Sequence, residues 1–352
     1  AIFITGFVTP VFADFYENTK FKGDLRLRYQ TQEETDKETR SRERIRFRFG
    51  FETEITEQLK VVAGLASGGD DPRSTNETMD DNFSTKGIAL DLAYFEWKPS
   101  DPVKLTLGKF GKPSNYLTLA KDLLFDGDIN FEGQHIWLGG EVAPDVEIYA
   151  QGGIFWLDEY SSTEDDPFMF PIQAGISGKA DAIKYKLAVA YYSFTNLEGN
   201  SFYEGGGTNT VDDDEGLVYD YNSYGLTGVI EYGFAGGDGK DYMFKVGGEY
   251  IKNDDVSEDG YLILAAIGSK KIKDPGTWQV AVNYRELEKD AWLDIFPDSD
   301  AFSGKTDIKG YEFIVEYAVA KNVILGLDYY DIQRISSDKD QQVLQLDCVI
   351  KF

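Results

Sequence analysis

The stretch Arg42-Glu43-Arg44-Ile45-Arg46-Phe47-Arg48-Phe49-Gly50-Phe51 sets arginine against apolar side chains in strict alternation. Successive side chains of an extended strand point to opposite faces, so a strand here turns Arg42, Arg44, Arg46 and Arg48 one way and Ile45, Phe47, Phe49 and Phe51 the other. A helix would mix the two sets around its surface. One apolar face and one charged face is the pattern of a membrane strand with lipid on one side and a lumen on the other.

The same period of two recurs outward from this segment in runs of roughly ten residues, the length a tilted strand needs to cross a bilayer. It predicts about sixteen strands, near 20–30, 42–54, 58–68, 86–98, 102–110, 134–143, 145–157, 168–178, 182–194, 223–233, 240–252, 258–269, 276–288, 307–318, 321–335 and 341–352. Short links such as Ala143-Pro144 and Asp274-Pro275 alternate with long ones near 31–41, 69–85, 111–133, 158–167, 195–222, 289–306 and 336–340, with the link at 253–257 shorter than its class. Short turns at one end and longer loops at the other give this rhythm in a closed outer-membrane barrel, with both termini at the periplasmic end. The fold class expected is therefore an all-β, antiparallel transmembrane barrel, formed as a single domain over 14–352.

Composition agrees. The 352 residues include 22 Tyr, 24 Phe and 36 Gly but only 10 Pro and 3 Met, which suits strands and tight turns. No apolar run approaches the roughly 18 to 20 residues of a membrane-crossing helix. A net charge of -27 excludes nucleic acid as a partner, because phosphate binding needs a cationic face. The uncharged stretch 1–13, ending in Val11-Phe12-Ala13, reads as the remnant of an export signal, and a buried first strand is its alternative. Cys348, the single cysteine, allows no internal disulfide and falls on the apolar parity of the last strand, where it is a small hydrophobe.

Two groups of residues are candidates for function. Arg26 and Arg28 share a parity in the first strand, and Arg42, Arg44, Arg46 and Arg48 share one in the second. Pairing the two strands gathers six guanidinium groups on one wall, which must face the lumen because each would cost roughly 2 to 4 kcal/mol at the lipid midplane. That wall is either ion-paired scaffolding or the source of the pore's field. The second group lies in the link 111–133, whose Leu117, Leu119, Leu123, Leu124 and Phe125 are more apolar than a solvated tip requires. A loop folded into the barrel between strands five and six would bring Asp122, Asp126, Asp128 and Glu132 to face the arginines as a constriction.

The remaining signals are weaker. Clustered acids in the long links, among them Asp70-Asp71, Asp80-Asp81, Glu164-Asp165-Asp166, Asp212-Asp213-Asp214-Glu215, Asp254-Asp255 and Asp298 with Asp300, read as solvated tips, or as carboxylates that divalent cations bridge to lipid phosphates. Asp126-x-Asp128-x-Asn130 begins like a calcium loop but lacks the following glycine and the spaced glutamate, so no metal site and no cofactor is expected. No G-x-S-x-G, HExxH, CxxC or Walker pattern occurs, and the lone His135 sits early in a strand beside Trp137, so no enzyme is expected.

Gly23-Asp24-Leu25-Arg26-Leu27-Arg28-Tyr29, the arginine run closing on Gly50, Leu107-Gly108-Lys109-Phe110, and Asp122-Leu123-Leu124-Phe125-Asp126-x-Asp128 through Glu132-Gly133 together resemble the bacterial putative-porin family. The resemblance is clearest over 20–135. It implies a diffusion channel of the bacterial outer membrane, embedded in lipid and lipopolysaccharide, usually trimeric, with its third loop inward. By matching position, the arginine rows and the Asp122 to Glu132 segment are its pore-lining residues, with Lys109 where an arginine is expected. The terminal Phe352 of an apolar stripe resembles the signal read by the barrel assembly machinery. The alternative is a barrel acting as a sheath or anchor for an envelope partner, which would need a lumen wide enough to admit it.

Overall fold

The computed structural model describes residues 17–112, 123–161, 165–200, 207–212 and 216–352. The proposed signal remnant at 1–13 and Asp122 lie outside the described residues. The strands are β1 Thr19–Glu34, β2 Arg40–Thr56, β3 Leu59–Ser67, β4 Glu77–Thr78, β5 Ile88–Ser100, β6 Val103–Gly111, β7 Asn130–Ala143, β8 Val146–Trp156 and β9 Phe168–Ala180. They continue as β10 Ile183–Thr195, β11 Ser223–Ala235, β12 Asp241–Asn253, β13 Asp259–Ser269, β14 Trp278–Leu287, β15 Ile308–Ala320, β16 Val323–Arg334 and β17 Asp340–Lys351. Sixteen of them make the wall, each antiparallel to its neighbours. The two-residue β4 lies within a long loop and pairs Thr78 with Arg44, beside the upper part of β2 that the short β3 leaves uncovered.

The ring closes where β1 pairs with β17, from Asp24 opposite Lys351 to Glu34 opposite Gln341. At the seam's foot Gly23 and Phe352 exchange backbone hydrogen bonds of 2.8 and 3.0 Å. Closure leaves no strand edge to satisfy, which a bilayer requires because it offers backbone groups no water. A side chain at Gly23 would not fit: an added Cβ would lie 2.5 Å from the Phe352 ring and 2.6 Å from the Arg48 carbonyl oxygen.

Alternation sorts the side chains. Leu27, Phe47, Phe49, Leu138, Leu187, Ile263 and Leu346 face outward and are exposed, which would be a liability in water and is the solvated face in lipid. Aromatic side chains band both ends of this face. Tyr232, Phe234, Tyr242 and Trp278 follow one another at 5.9–6.1 Å between ring centroids near the short turns. Tyr261, Tyr284, Tyr311 and Phe313 do the same at 4.9–6.2 Å near the long loops. Such girdles sit at the two membrane interfaces.

The interior departs from the uniformly wet lumen that the strand pattern suggests. In the half nearer the long loops, inward residues of the wall such as Phe110, Phe155, Tyr192, Phe194, Ile251 and Leu262 meet apolar residues from 123–129, 216–222 and 288–307 in one buried cluster. Trp292 is at its centre, fully buried, with its ring edge-on to Phe125, Tyr192 and Phe194 at 5.0–5.6 Å and its indole N–H donating to the Leu124 carbonyl at 2.8 Å. Toward the short turns the lumen is charged, and a cavity of about 630 Å³ there is lined by Lys184, Lys186, Glu231, Lys245 and Glu147.

Candidate functional site

Pairing of β1 with β2 sets Arg26 opposite Arg46 and Arg28 opposite Arg44, all on the inward parity. Like charges directly opposite repel, so the wall needs carboxylates to hold it. Two come from the strands. Asp24 accepts from Arg46 Nε and Nη2 at 3.0 and 2.9 Å through one oxygen, and from Arg48 Nε at 2.8 Å through the other. Asp347 of β17 takes Arg28 in a two-pronged pair at 2.7 and 2.8 Å and stands 3.8 Å from Arg26.

Two more come from loops. Asp128 lies 3.5 Å from Arg48 and 4.0 Å from Arg46, and its other oxygen accepts from the Thr75 amide at 3.0 Å and hydroxyl at 2.8 Å. Burial opposes its charge, but Arg46, the Thr75 amide and Arg48 together hold its carboxyl below the usual range. Asp300 pairs with Arg28 at 3.2 Å and is likewise held low against burial, chiefly by that arginine. Arg26 donates instead to the Asn76 side chain at 2.6 Å, and Arg44 to Gln30 and Ser74 at 3.2 Å each. Three loop segments, 71–78, 123–129 and 288–307, therefore converge on one arginine wall.

The four acids expected at the constriction separate. Asp128 faces the arginines. Asp126 is buried and accepts from the Asp128 amide at 2.9 Å and the Ser299 amide at 2.7 Å, so it ties two loops together. Glu132 is not in the loop at all. The strand begins at Asn130, two residues earlier, which places Glu132 on the outward parity of β7 in an ion pair of 2.5 Å with Lys109 of β6. Asp126, Asp128 and Asn130 do not converge on one point either, since Asn130 donates to Asp91 at 2.6 Å. His135 is buried on the inward face with Nε2 3.0 Å from the Gln151 side chain.

The inward turn of 288–307 went unforeseen, although Ala291-Trp292-Leu293 and Ile295-Phe296 carry the apolar content that marks the loop before it. Nor are Asp298 and Asp300 solvated tips. Asp298 is buried against Arg285 at 2.8 Å, and Arg285 is also paired with Glu312 of β15. Asp290 and Asp294 accept from backbone and hydroxyl groups of Thr208 and Thr210 in the neighbouring loop. These acids clamp loops inside the barrel, because a buried carboxylate needs donors as much as a buried arginine needs a carboxylate.

Cavities lie above and below the wall. The outer one, about 460 Å³, is bordered by Arg40, Arg42, Arg44, Arg73, Ser74 and Asp300. The inner one, about 260 Å³, is bordered by Arg26, Arg28, Arg46, Arg48, Asp328 and Lys351. The arginine wall is thus one polar flank of the lumen, and the apolar core fills much of its outer half.

The profile of the putative-porin family matches residues 31–216 and 235–352. No curated protein matches the chain by sequence. Among solved structures, Pseudomonas putida OprB at high pH aligns over 96% of this chain and 95% of its own, with a TM-score of 0.63 and 11% identity. Salmonella typhi OmpF, solved with daunomycin, aligns over 97% and 99%, with a TM-score of 0.59 and 12% identity. A triple mutant of the Rhodopseudomonas blastica porin aligns over 95% and 100%, with a TM-score of 0.51 and 15% identity. At these identities the likeness is one of fold.

Proposed function

The chain belongs to the putative-porin family and forms a channel-type barrel of the bacterial outer membrane, and on that premise we propose that small hydrophilic solutes and ions cross it by passive diffusion along the arginine wall. The observation that carries this reading is the pair of cavities bordering one arginine ladder, which runs from Arg42 and Arg44 on the outer side to Arg26 and Arg48 on the inner. Polar side chains on this flank replace part of a solute's hydration, while the packed loops opposite narrow the route. A threaded partner protein, the sheath reading, would have to displace the core around Trp292.

Selectivity follows from local charge. The acids that make the chain strongly anionic include exposed ones such as Asp80, Asp81, Asp254 and Asp255, whose field decays over about 8 Å in physiological salt, whereas the wall touches the solute. Anion preference is the expected result. In a planar bilayer under a KCl gradient the protein should give discrete ohmic steps with an anion-directed reversal potential, shifted toward zero or cation preference when Arg44, Arg46 and Arg48 are neutralised together. Correctly folded protein that never conducts would overturn the reading.

The family resemblance also suggests a homotrimer, tested by the mass of the detergent-solubilised assembly. Exposed acids at the loop crests are those that divalent cations would bridge to lipopolysaccharide phosphates. Phe352, half-exposed at the seam, is the residue the assembly machinery would read.

A further inference from the structure

Resting on the channel reading above, we infer that the outer cavity is a binding site for the oxyanion group of a small solute, a phosphate or a carboxylate, with Arg44 at its floor. Arg44 makes no salt bridge of its own, because Asp300, the carboxylate that acts on it most, is in direct contact with Arg28 instead. Arg44 is nine-tenths buried, yet its terminal nitrogens donate to the neutral oxygens of Gln30 and Ser74 and its Nε is buried without a partner. A buried guanidinium with only neutral acceptors is costly, and an anion among its N–H groups removes that cost.

The rest of the cavity points the same way. Of the carboxylates around it, Glu34 is taken by Lys37 at 2.7 Å, Asp71 by Arg73 at 3.3 Å and Asp300 by Arg28 at 3.2 Å. Among the described residues Arg40, Arg42 and Arg44 make no salt bridge, so around this cavity of about 460 Å³ three guanidinium groups have no carboxylate in direct contact, and the nearby Asp300 is shared with Arg28. The three arginines occupy alternate positions on β2, roughly 7 Å apart at ~3.4 Å per residue. The guanidinium fork matches a carboxylate or phosphate with two parallel hydrogen bonds. Ser74, already on Arg44, and Ser303 on the facing loop supply hydroxyls, while that of Ser299 donates to the Arg73 carbonyl at 3.1 Å.

Lower on the wall the situation differs. Arg28, Arg46 and Arg48 each hold a carboxylate of Asp24, Asp128, Asp300 or Asp347, and Arg26, whose Nε is also buried without a partner, stands 3.8 Å from Asp347, so an arriving anion would compete with a fixed carboxylate. Capture thus belongs at the outer end, and the paired rungs below hold anions weakly enough to let them leave.

The test titrates inorganic phosphate, succinate or glucose on the long-loop side of the full-length protein conducting dilute KCl in a planar bilayer. Phosphate and succinate should reduce the chloride current in a saturable way, and glucose should not. Stronger block by phosphate identifies a phosphorylated solute, and stronger block by succinate a carboxylated one. Arg44→Gln should raise the half-blocking concentration by about tenfold or more, the loss expected for a charge-assisted pair, and Arg42→Gln should raise it less. Lys86→Ala, on the exposed loop, should leave the block as it is. Block no stronger than glucose, or undiminished in both arginine variants, overturns the inference while the channel reading stands. A silent bilayer would instead remove the channel reading. Calorimetric titration of phosphate into the folded, solubilised chain, wild type against Arg42→Gln and Arg44→Gln, then decides the anion site separately.

Discussion

Asp128 and Asp24 are the residues through which Arg46 and Arg48 are held, and only one of the two is part of the wall. Replacing the loop residue, Asp128→Asn, leaves both arginines on Asp24 but removes the charge attraction that draws this loop to the wall. Unitary conductance should rise and anion preference sharpen, since a negative charge leaves the route. Acid should do the same to the native protein. Because folding lowers this carboxyl, the tie is at full strength above its ordinary value of 3.8 and is lost as the pH falls further, through the lowered value. Conductance should therefore hold steady from neutrality to pH 4 and change only below it; a step centred between pH 5 and 6 would refute the assignment. The arginines were legible in the sequence because parity is a local property of a strand. The acids were not, since a loop has no period. Glu132 was misassigned because the strand begins at Asn130, four residues before the expected start at 134, and Asp300 because an acid in a long polar loop looks the same whether water or a buried arginine receives it.

At the scale of elements, the strands and their order could be read from alternation, down to the closing pair, whereas the packing among loops could not. The segment 288–307 shows why. Its apolar residues make sense only against Leu124 and Phe125 from one loop and Tyr192 and Phe194 from a distant strand, a coincidence in space that no window of sequence contains. Trp292→Ala should cost about 3–5 kcal/mol in the docking of this segment, by analogy with large-to-small changes in cores. The barrel, which owes its closure to backbone pairing, should survive. The expected signature is a new protease cut within 288–307 together with a larger conductance, while the β-sheet circular dichroism is preserved. Loss of the sheet signal would mean that the inner core supports the wall as well.

For the whole molecule the seam between β1 and β17 is the pairing that joins the first strand to the last and leaves no free edge. Gly23→Ala forces a methyl against the Phe352 ring and the Arg48 carbonyl, an overpacking worth about 1–3 kcal/mol at the point of closure. The barrel should unfold in detergent at a lower temperature, read from its heat-dependent shift on a gel, and an unchanged midpoint would show that the seam relaxes freely. A different consequence follows from the loop drawn into the lumen. Residues 290–294 are almost wholly enclosed, so they offer an antibody or a phage tail nothing to grip. Among the described residues of the long loops, the crest at 79–85 is exposed, with Phe83 fully so at its tip. Proteases and impermeant labels added from outside should therefore reach that crest and spare the clasped segment until its packing is broken.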